Sequence, residues 1–261
     1  DLNEILAIVC DGYGYGSEGK AWGGEILHCN REGSFRRLGR LEEQPLVGGD
    51  LATRYPLRMA VGILNKVANV EDWLLSNSVL LPHGKEEVEV ILQQLNKGSK
   101  PKTTSCGRVL DAVSAVLGLC YERSYEGEPA MKLESAAIKG RDVLKLEPTI
   151  KDNVLNTTAL VHQIFNQRKA YPVSDLAFSA QLYLAQGLAQ MAVDEAKRLG
   201  VDAVGFSGGV AYNENITRTI RKVVEENGLG FVVHELVPPG DGGVSLGQAV
   251  AAVWQMQHLA R

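Results

Sequence analysis

Apolar positions divide the chain into stretches of two different periods. Glu4-Ile5-Leu6-Ala7-Ile8-Val9-Cys10 is an apolar run that stops at Asp11-Gly12, and it reads as a buried strand ending at a sharp turn. The glycine-spaced stretch 12–19 is that turn. Residues 20–28 and 34–41 read as two more strands joined at Asn30-Arg31-Glu32-Gly33, so the chain opens with three antiparallel strands. The middle then shifts to a period of three to four. Leu51, Met59, Val61, Leu64 and Val67 follow Gly49-Asp50 and suit a helix facing a core. Stretches 85–95 and 105–119 repeat that period, separated by a polar connector, 97–104, with Gly98 and Pro101. A helix is predicted over 152–168, and Ser174 is expected to cap the longest one, which runs to Leu199 and stops at Gly200.

The last sixty residues alternate again. Ala203-Val204-Gly205-Phe206 is a short strand, Ser207-Gly208-Gly209 a turn, and 213–227 a helix. A strand over 230–236, the turn Pro238-Pro239-Gly240-Asp241-Gly242-Gly243 and a helix over 244–257 complete the chain. Strands that close on glycine-rich turns at both ends, with helices between, imply an α/β protein of two lobes, with a lobe boundary near 41–50. Ligands of such folds sit where strand ends meet helix N-termini.

Four stretches carry candidate chemistry, each with a purely structural alternative. In Asp11-Gly12-Tyr13-Gly14-Tyr15-Gly16 the glycines let backbone N–H groups face an anion, and Asp11 can hold a metal or a polar ligand group; an ordinary hairpin also needs such glycines. Phe206-Ser207-Gly208-Gly209-Val210 offers unpaired N–H groups at a helix start to a phosphate or nucleotide edge, or is a tight turn with Ser207 as the cap. Asp241, between Gly240 and Gly242, could coordinate a cation through oxygen, or cap the following helix. Asp111, three residues after Arg108, could accept ribose hydroxyls, or form a surface ion pair worth about 0.3 kcal/mol.

Composition narrows these options. With 261 residues, 45% of them hydrophobic, the chain can bury a large core. A net charge of −4 gives no footprint for nucleic acid or an anionic membrane, and no run approaches the roughly 18 apolar residues of a membrane span. Cys10, Cys29, Cys106 and Cys120 form no C-x-x-C pair, which suits a cytoplasmic enzyme with reduced thiols. His28, His83, His162, His234 and His258 have no ligand spacing and read as structural or exposed. The opening Asp1-Leu2-Asn3-Glu4 has no signal-peptide pattern and no initiating Met, so a fragment of a longer protein is expected.

Five ordered blocks carry a resemblance. Asp11 to Gly16 with Trp22-Gly23-Gly24-Glu25 is the first, and Gly48-Gly49-Asp50-Leu51-Ala52 with Pro56-Leu57-Arg58-Met59-Ala60 the second. The third runs from Thr104-Ser105-Cys106-Gly107-Arg108 and Asp111-Ala112-Val113 through Tyr125-Glu126-Gly127-Glu128 to Leu133-Glu134. Ser207-Gly208-Gly209-Val210 with Asn213, and Asp241-Gly242-Gly243 with Leu246-Gly247-Gln248, complete the set. Together they resemble the C-terminal, carbamoyl-transferring part of the [NiFe]-hydrogenase maturation family HypF.

That resemblance implies an actin/hexokinase-like (ASKHA) two-lobed fold with mixed sheets, akin to the tRNA threonylcarbamoyl-transferases, with residues 1–261 as one catalytic domain. It implies transfer of a carbamoyl group from carbamoyl-adenylate to the C-terminal cysteine of a partner, HypE. By position, Gly12, Gly14, Gly16, Trp22, Gly23, Gly24 and Glu25 should line the substrate. Asp111, Gly127 and Asn213 should hold the nucleoside of ATP or the adenylate, beside Ser207, Gly208, Gly209 and Gly242. Asp11 and Asp241 should act at a catalytic site and as ligands of a divalent metal (Fe, Zn or Mg) whose H-H-x-A-H ligands are expected upstream of residue 1. The sequence departs from the family at Gly12-Tyr13, where Gly-Thr is usual, and at Phe178-Ser179, where Phe-His is expected. A tRNA-modifying transferase, a sugar kinase of the same superfold and a non-catalytic ATP-binding or partner-docking domain are the competing readings.

Overall fold

The computed structural model of the chain describes residues 2–97 and 101–259, with side chains left out at 255 and 257–259. Three residues of the expected polar connector, among them Gly98, lie outside the described residues, as does the side chain of His258. In chain order the elements are β1 (Glu4–Tyr15), β2 (Ala21–Asn30), β3 (Phe35–Leu41), β4 (Gln44–Pro45), α1 (Leu51–Arg54), α2 (Pro56–Leu64), α3 (Glu71–Ser76), α4 (Gly84–Asn96), β5 (Lys102–Thr103), α5 (Cys106–Val116) and α6 (Glu128–Ala137). Then follow β6 (Ile150–Lys151), β7 (Val154–Leu155), α7 (Thr157–Gln167), α8 (Val173–Leu199), β8 (Ala203–Ser207), α9 (Glu214–Glu226), β9 (Gly230–Val232) and α10 (Val244–Leu259).

One mixed sheet organises them, in the order β6-β7-β3-β2-β1-β8-β9, with β4 and β5 attached beside β2. This is the expected α/β class. β1 is central because it alternates: Leu6, Ile8 and Cys10 turn inward and are fully buried. It pairs antiparallel with β2 and parallel with β8, so the glycine-rich stretch after Cys10 and the turn after Ser207 lie side by side. Helices α5 and α8 pack on β1, and α9 packs on α8. All eleven residues of α5 are buried, so its polar members Arg108, Asp111 and Ser114 lie in the interior. Behind them, Arg58 and Glu87 form a buried ion pair at 2.6 Å. The described cysteines are free thiols, and no described helix is long and apolar enough to cross a membrane.

The local expectations fail in physically instructive places. β1 does not stop at Cys10. It bulges between Cys10 and Gly14 and resumes pairing through Gly14–Trp22 and Tyr15–Ala21, so the reversal lies at Gly16–Lys20 instead. The single helix expected after Gly49-Asp50 is two, broken at Tyr55 because Pro56 starts the second. The helix expected from residue 152 begins at Thr157, capped by Asn156; before it, Asp152 and Asn153 take φ of 51° and 56° in the β6–β7 hairpin. Ser174 lies within α8 and does not cap it, since Pro172 holds the N-cap position; Gly200 closes that helix in the left-handed conformation, as expected. The last strand is three residues long, β9, and ends at Val232 rather than 236. Residues 41–50 hold β4 and the turn into α1, and a contiguous core runs on both sides of them.

Candidate functional site

The cleft begins where β8 ends at Ser207, beside the bulge that follows Cys10 in β1. Gly208 has φ +97°, and a Cβ there would stand 2.2 Å from the Cys10 carbonyl oxygen, so only glycine lets the 207–209 turn lie against β1. The same turn reaches forward, because the Gly208 N–H donates to the Pro239 carbonyl at 2.9 Å. Ser207 adds a second link: its hydroxyl donates to Pro239 at 3.3 Å and lies 2.9 Å from His234 Nε2. Ser207 therefore joins the two turns and caps no helix. From the other side, the first turn of α5 sits directly on β1: a Cβ at Gly107 would meet Gly12 Cα at 2.8 Å.

Ser105 holds that contact. It caps α5 by accepting from the Arg108 N–H at 3.1 Å, and its hydroxyl points to the carbonyls of Asp11 (2.6 Å) and Gly12 (2.9 Å). Arg108 Nε donates to the Gly12 carbonyl at 3.1 Å, and its Nη1 stands 2.8 Å from Asp111 Oδ2 without an aligned hydrogen bond. The expected surface pair is thus a buried one, with side-chain exposures of 6% and 1%. Burial pushes the Asp111 carboxyl up to about 6, and Arg108 and Arg123 only partly offset it. Glycine at 127, with φ +77°, starts α6 on the facing wall. Lys132, with the Ser124 N–H and hydroxyl, holds Glu128 in its first turn down at about 2. Asn213 caps α9, its Oδ1 accepting from Ile216 N–H at 2.9 Å, which leaves its Nδ2 amide as the group able to reach a ligand.

These elements enclose a cleft of about 640 Å³, within the usual range for a nucleotide-sized ligand. Of the residues expected at the site, Asp11, Gly12, Asp111, Gly127, Gly209, Asn213, Asp241 and Gly242 line it together. Asp11 accepts from its neighbour Gly12 N–H at 2.6 Å through Oδ1, 3.2 Å from where a Cβ on Gly209 would stand. Arg108, Ala130, Met131, Glu134, Tyr212 and Gly240 also line the cleft but were not expected as ligand contacts. The 127, 130, 131, 134 spacing is a helix face, legible only once α6 is read as a helix.

The rest of the expected set lies elsewhere. Gly14, Gly16, Trp22, Gly23, Gly24, Glu25, Ser207 and Gly208 do not line the cleft. Gly16 leaves room for the Trp22 indole, whose ring Arg37 covers at 4.1 Å from its centroid. Glu25 is buried and folds back on its own strand: its Oε2 accepts from the Gly23 and Gly24 N–H groups at 2.7 and 2.6 Å, and Thr104 donates to Oε1. Burial raises its carboxyl above the usual range despite those donors. The Trp-Gly-Gly-Glu segment supports the β1–α5 contact from behind, because a Cβ at Gly23 would meet the Asp11 carbonyl at 2.6 Å. A metal finds few ligands: among the described residues no three His, Cys, Asp or Glu side chains are placed to hold one. Asp11 and Asp241 alone fall far short of the six or so oxygens of a magnesium ion.

Comparison with known proteins decides the family. Residues 7–248 match the family described as "Carbamoyltransferase, Kae1-like Domain, second subdomain". The chain belongs to the HypF carbamoyltransferase family. It is 40% identical over 97% of its length to the probable carbamoyltransferase HypF of Methanocaldococcus jannaschii, and spans 33% of that protein. The crystal structure of T. kodakarensis HypF superposes with a TM-score of 0.90 at 43% identity, covering 98% of this chain and 34% of that one. A full-length HypF solved in a phosphate- and nucleotide-bound form gives a TM-score of 0.83 at 30% identity, covering 95% and 33%. The chain thus spans about a third of the HypF proteins it matches, and its mixed α/β sheet is the actin/hexokinase-like arrangement of that family.

Proposed function

We propose that this chain forms the carbamoyl-transfer site of a full-length HypF protein, taking ATP or carbamoyl-adenylate into the cleft and passing the carbamoyl group to the C-terminal cysteine of HypE. One observation carries the reading: Asp11, Asp111, Asp241 and Asn213, far apart in sequence, line one cavity whose floor is glycine backbone. The nucleotide-bound form of a HypF relative supports a nucleotide as its occupant. Charge supports the adenylate over free triphosphate. Asp11, Asp111, Asp241, Glu126 and Glu134 line the cleft against a single arginine already engaged with Asp111, so a ligand with one phosphate meets less repulsion than one with three.

On this reading Asp111 accepts the ribose hydroxyls and Asn213 Nδ2 reaches the nucleoside. The acceptor thiolate attacks the carbamoyl carbon; a C–S bond forms, the C–O bond to the phosphate breaks, and AMP leaves with the bonding pair. Asp11 or Asp241 takes the thiol proton, and glycine-turn N–H groups face the oxyanion. No step is routed through a metal, because the residues present do not complete a site. The reaction belongs in the cytoplasm, where the acceptor cysteine stays reduced. Single-turnover carbamoyl transfer by full-length Asp11→Ala and Asp241→Ala proteins tests the assignment: loss in at least one is expected, and near-normal rates in both would remove the two aspartates from the chemistry.

A further inference from the structure

Asp11 sits where β1 is held least by its own sheet. The strand pairs with β2 through Cys10–Gly24 and again through Gly14–Trp22, so Asp11, Gly12 and Tyr13 face the single residue Gly23 across the bulge. A bulge of this kind re-aims side chains and takes backbone groups out of the ladder. The Asp11 carboxylate accepts from the N–H of its own neighbour Gly12 at 2.6 Å, so its aim follows the course of the main chain. Restraint of that main chain comes from beyond the strand. Ser105 Oγ reaches the Asp11 and Gly12 carbonyls at 2.6 and 2.9 Å. The Asp11 carbonyl also lies against Gly23, where a Cβ would stand 2.6 Å from it, and Gly23 has φ +150°.

One side chain ties these supports together. Glu25 Oε2 accepts from the Gly23 and Gly24 N–H groups at 2.7 and 2.6 Å, the amides that face the bulge. Its Oε1 takes the hydroxyl of Thr104, the residue before Ser105, and Arg37 Nη1 stands 3.8 Å away. Glu25 is 2% exposed and does not line the cleft, so it meets no ligand there. Burying a carboxylate costs far more than burying an apolar side chain of similar size. What this one supplies is a fixed place for Gly23 on one side of Asp11 and for Thr104–Ser105 on the other. We infer that Glu25, on the reading that Asp11 takes the thiol proton, is a positioning residue for carbamoyl transfer. It holds the two supports around the bulge and so fixes the Asp11 carboxylate where the acceptor thiol arrives.

Full-length Glu25→Ala, Glu25→Gln, Asp11→Ala and the Glu25→Ala/Asp11→Ala double variant test the assignment in single-turnover carbamoyl transfer. Misplacing a reacting group by about 1 Å costs on the order of 100-fold, so Glu25→Ala should slow transfer by about that factor while AMP affinity, measured by calorimetry, changes less than about threefold. On the Asp11→Ala background the same substitution should change the rate less than about twofold, because no base remains to be positioned. Glu25→Gln keeps an acceptor oxygen for the two glycine amides and should recover most of the loss. Should Glu25→Ala fail to fold, Thr104→Val runs the same cycle, with about tenfold slowing expected when Asp11 is present and none when it is absent. Equal slowing on both backgrounds, or AMP binding lost along with the rate, marks a merely structural role and overturns the inference. A Glu25→Gln protein as slow as Glu25→Ala overturns it too, since charge rather than hydrogen-bond geometry would then decide the rate. Wild-type transfer by Asp11→Ala removes Asp11 from the chemistry and this inference with it. An impaired Asp11→Ala beside an unimpaired Glu25→Ala overturns the inference alone.

Discussion

Asp111 offers the sharpest test of the buried electrostatics. Its carboxyl moves from an ordinary 3.8 to about 6, chiefly because burial penalises the anion. Every tenfold gain in proton affinity is worth about 1.4 kcal/mol, so keeping Asp111 ionised costs the folded state about 3 kcal/mol at neutral pH. The folded form binds the proton more tightly than the unfolded chain. Stability from this group is therefore complete below 3.8 and is lost as pH rises through about 6. Asp111→Asn removes the titration while keeping the shape, although it leaves Arg108 with only the Gly12 and Thr53 carbonyls. The absolute change at one pH thus mixes two effects, but the pH dependence of the difference does not. Urea unfolding of both proteins between about pH 4.5 and 7.5 should show wild type losing about 2 kcal/mol relative to the variant across that range. A flat difference, or one in which wild type gains as pH rises, refutes the argument that desolvation outweighs Arg108.

The same titration reaches the ligand. If ribose hydroxyls donate to the Asp111 anion, adenylate affinity measured by calorimetry should weaken several-fold as pH falls through about 6, and the Asp111→Asn protein should lack that dependence. Gly208→Ala forces a side chain against the Cys10 carbonyl in a left-handed backbone, so thermal unfolding should report a loss of at least about 2 kcal/mol; an unchanged melting temperature would mean the turn does not need glycine. Arg58→Ala leaves Glu87 buried without its countercharge, for an expected loss of about 3–5 kcal/mol by urea titration, while Arg58→Met with Glu87→Leu should recover most of it.

Much of this architecture was legible because it rests on local rules. Gly200 as a left-handed helix stop and Asn213 at a helix start follow from turn chemistry alone, and all three glycine-rich segments contribute glycines to the one cleft. What escaped depended on distant packing. Residues 12–15 look like part of a turn, yet pairing with Trp22 and Ala21 carries them on as strand, and Gly16 lies against the Trp22 indole. Trp22 to Glu25 resembles a substrate segment, yet Glu25 gives one carboxylate oxygen to its own backbone and the other to Thr104. α6 was missed because only Pro129, Leu133 and Ala137 bury apolar surface along it, too sparse a stripe to stand out. Arg108 and Asp111 read as a surface pair because their spacing carries no information about what covers them; α2, α6 and α7 all pack around α5.

The floor of the cavity is main chain at Gly12, Gly107 and Gly209: a methyl group would meet Gly12 Cα at 2.8 Å from Gly107, the Arg108 guanidinium at 2.6 Å from Gly12, and the Asp11 carboxylate at 3.2 Å from Gly209. A surface made of peptide groups offers few side chains to exchange, and at Gly107 a substitution displaces the main chain of β1 before it alters a ligand contact. Ligand preference in this scaffold can drift only at the rim, through Glu126, Met131 and Tyr212, whose side chains project from elements with room to vary. On the proposed reading, the nucleotide core meets main chain that offers little to vary, while the group it carries and the acceptor that takes it meet side chains that can change.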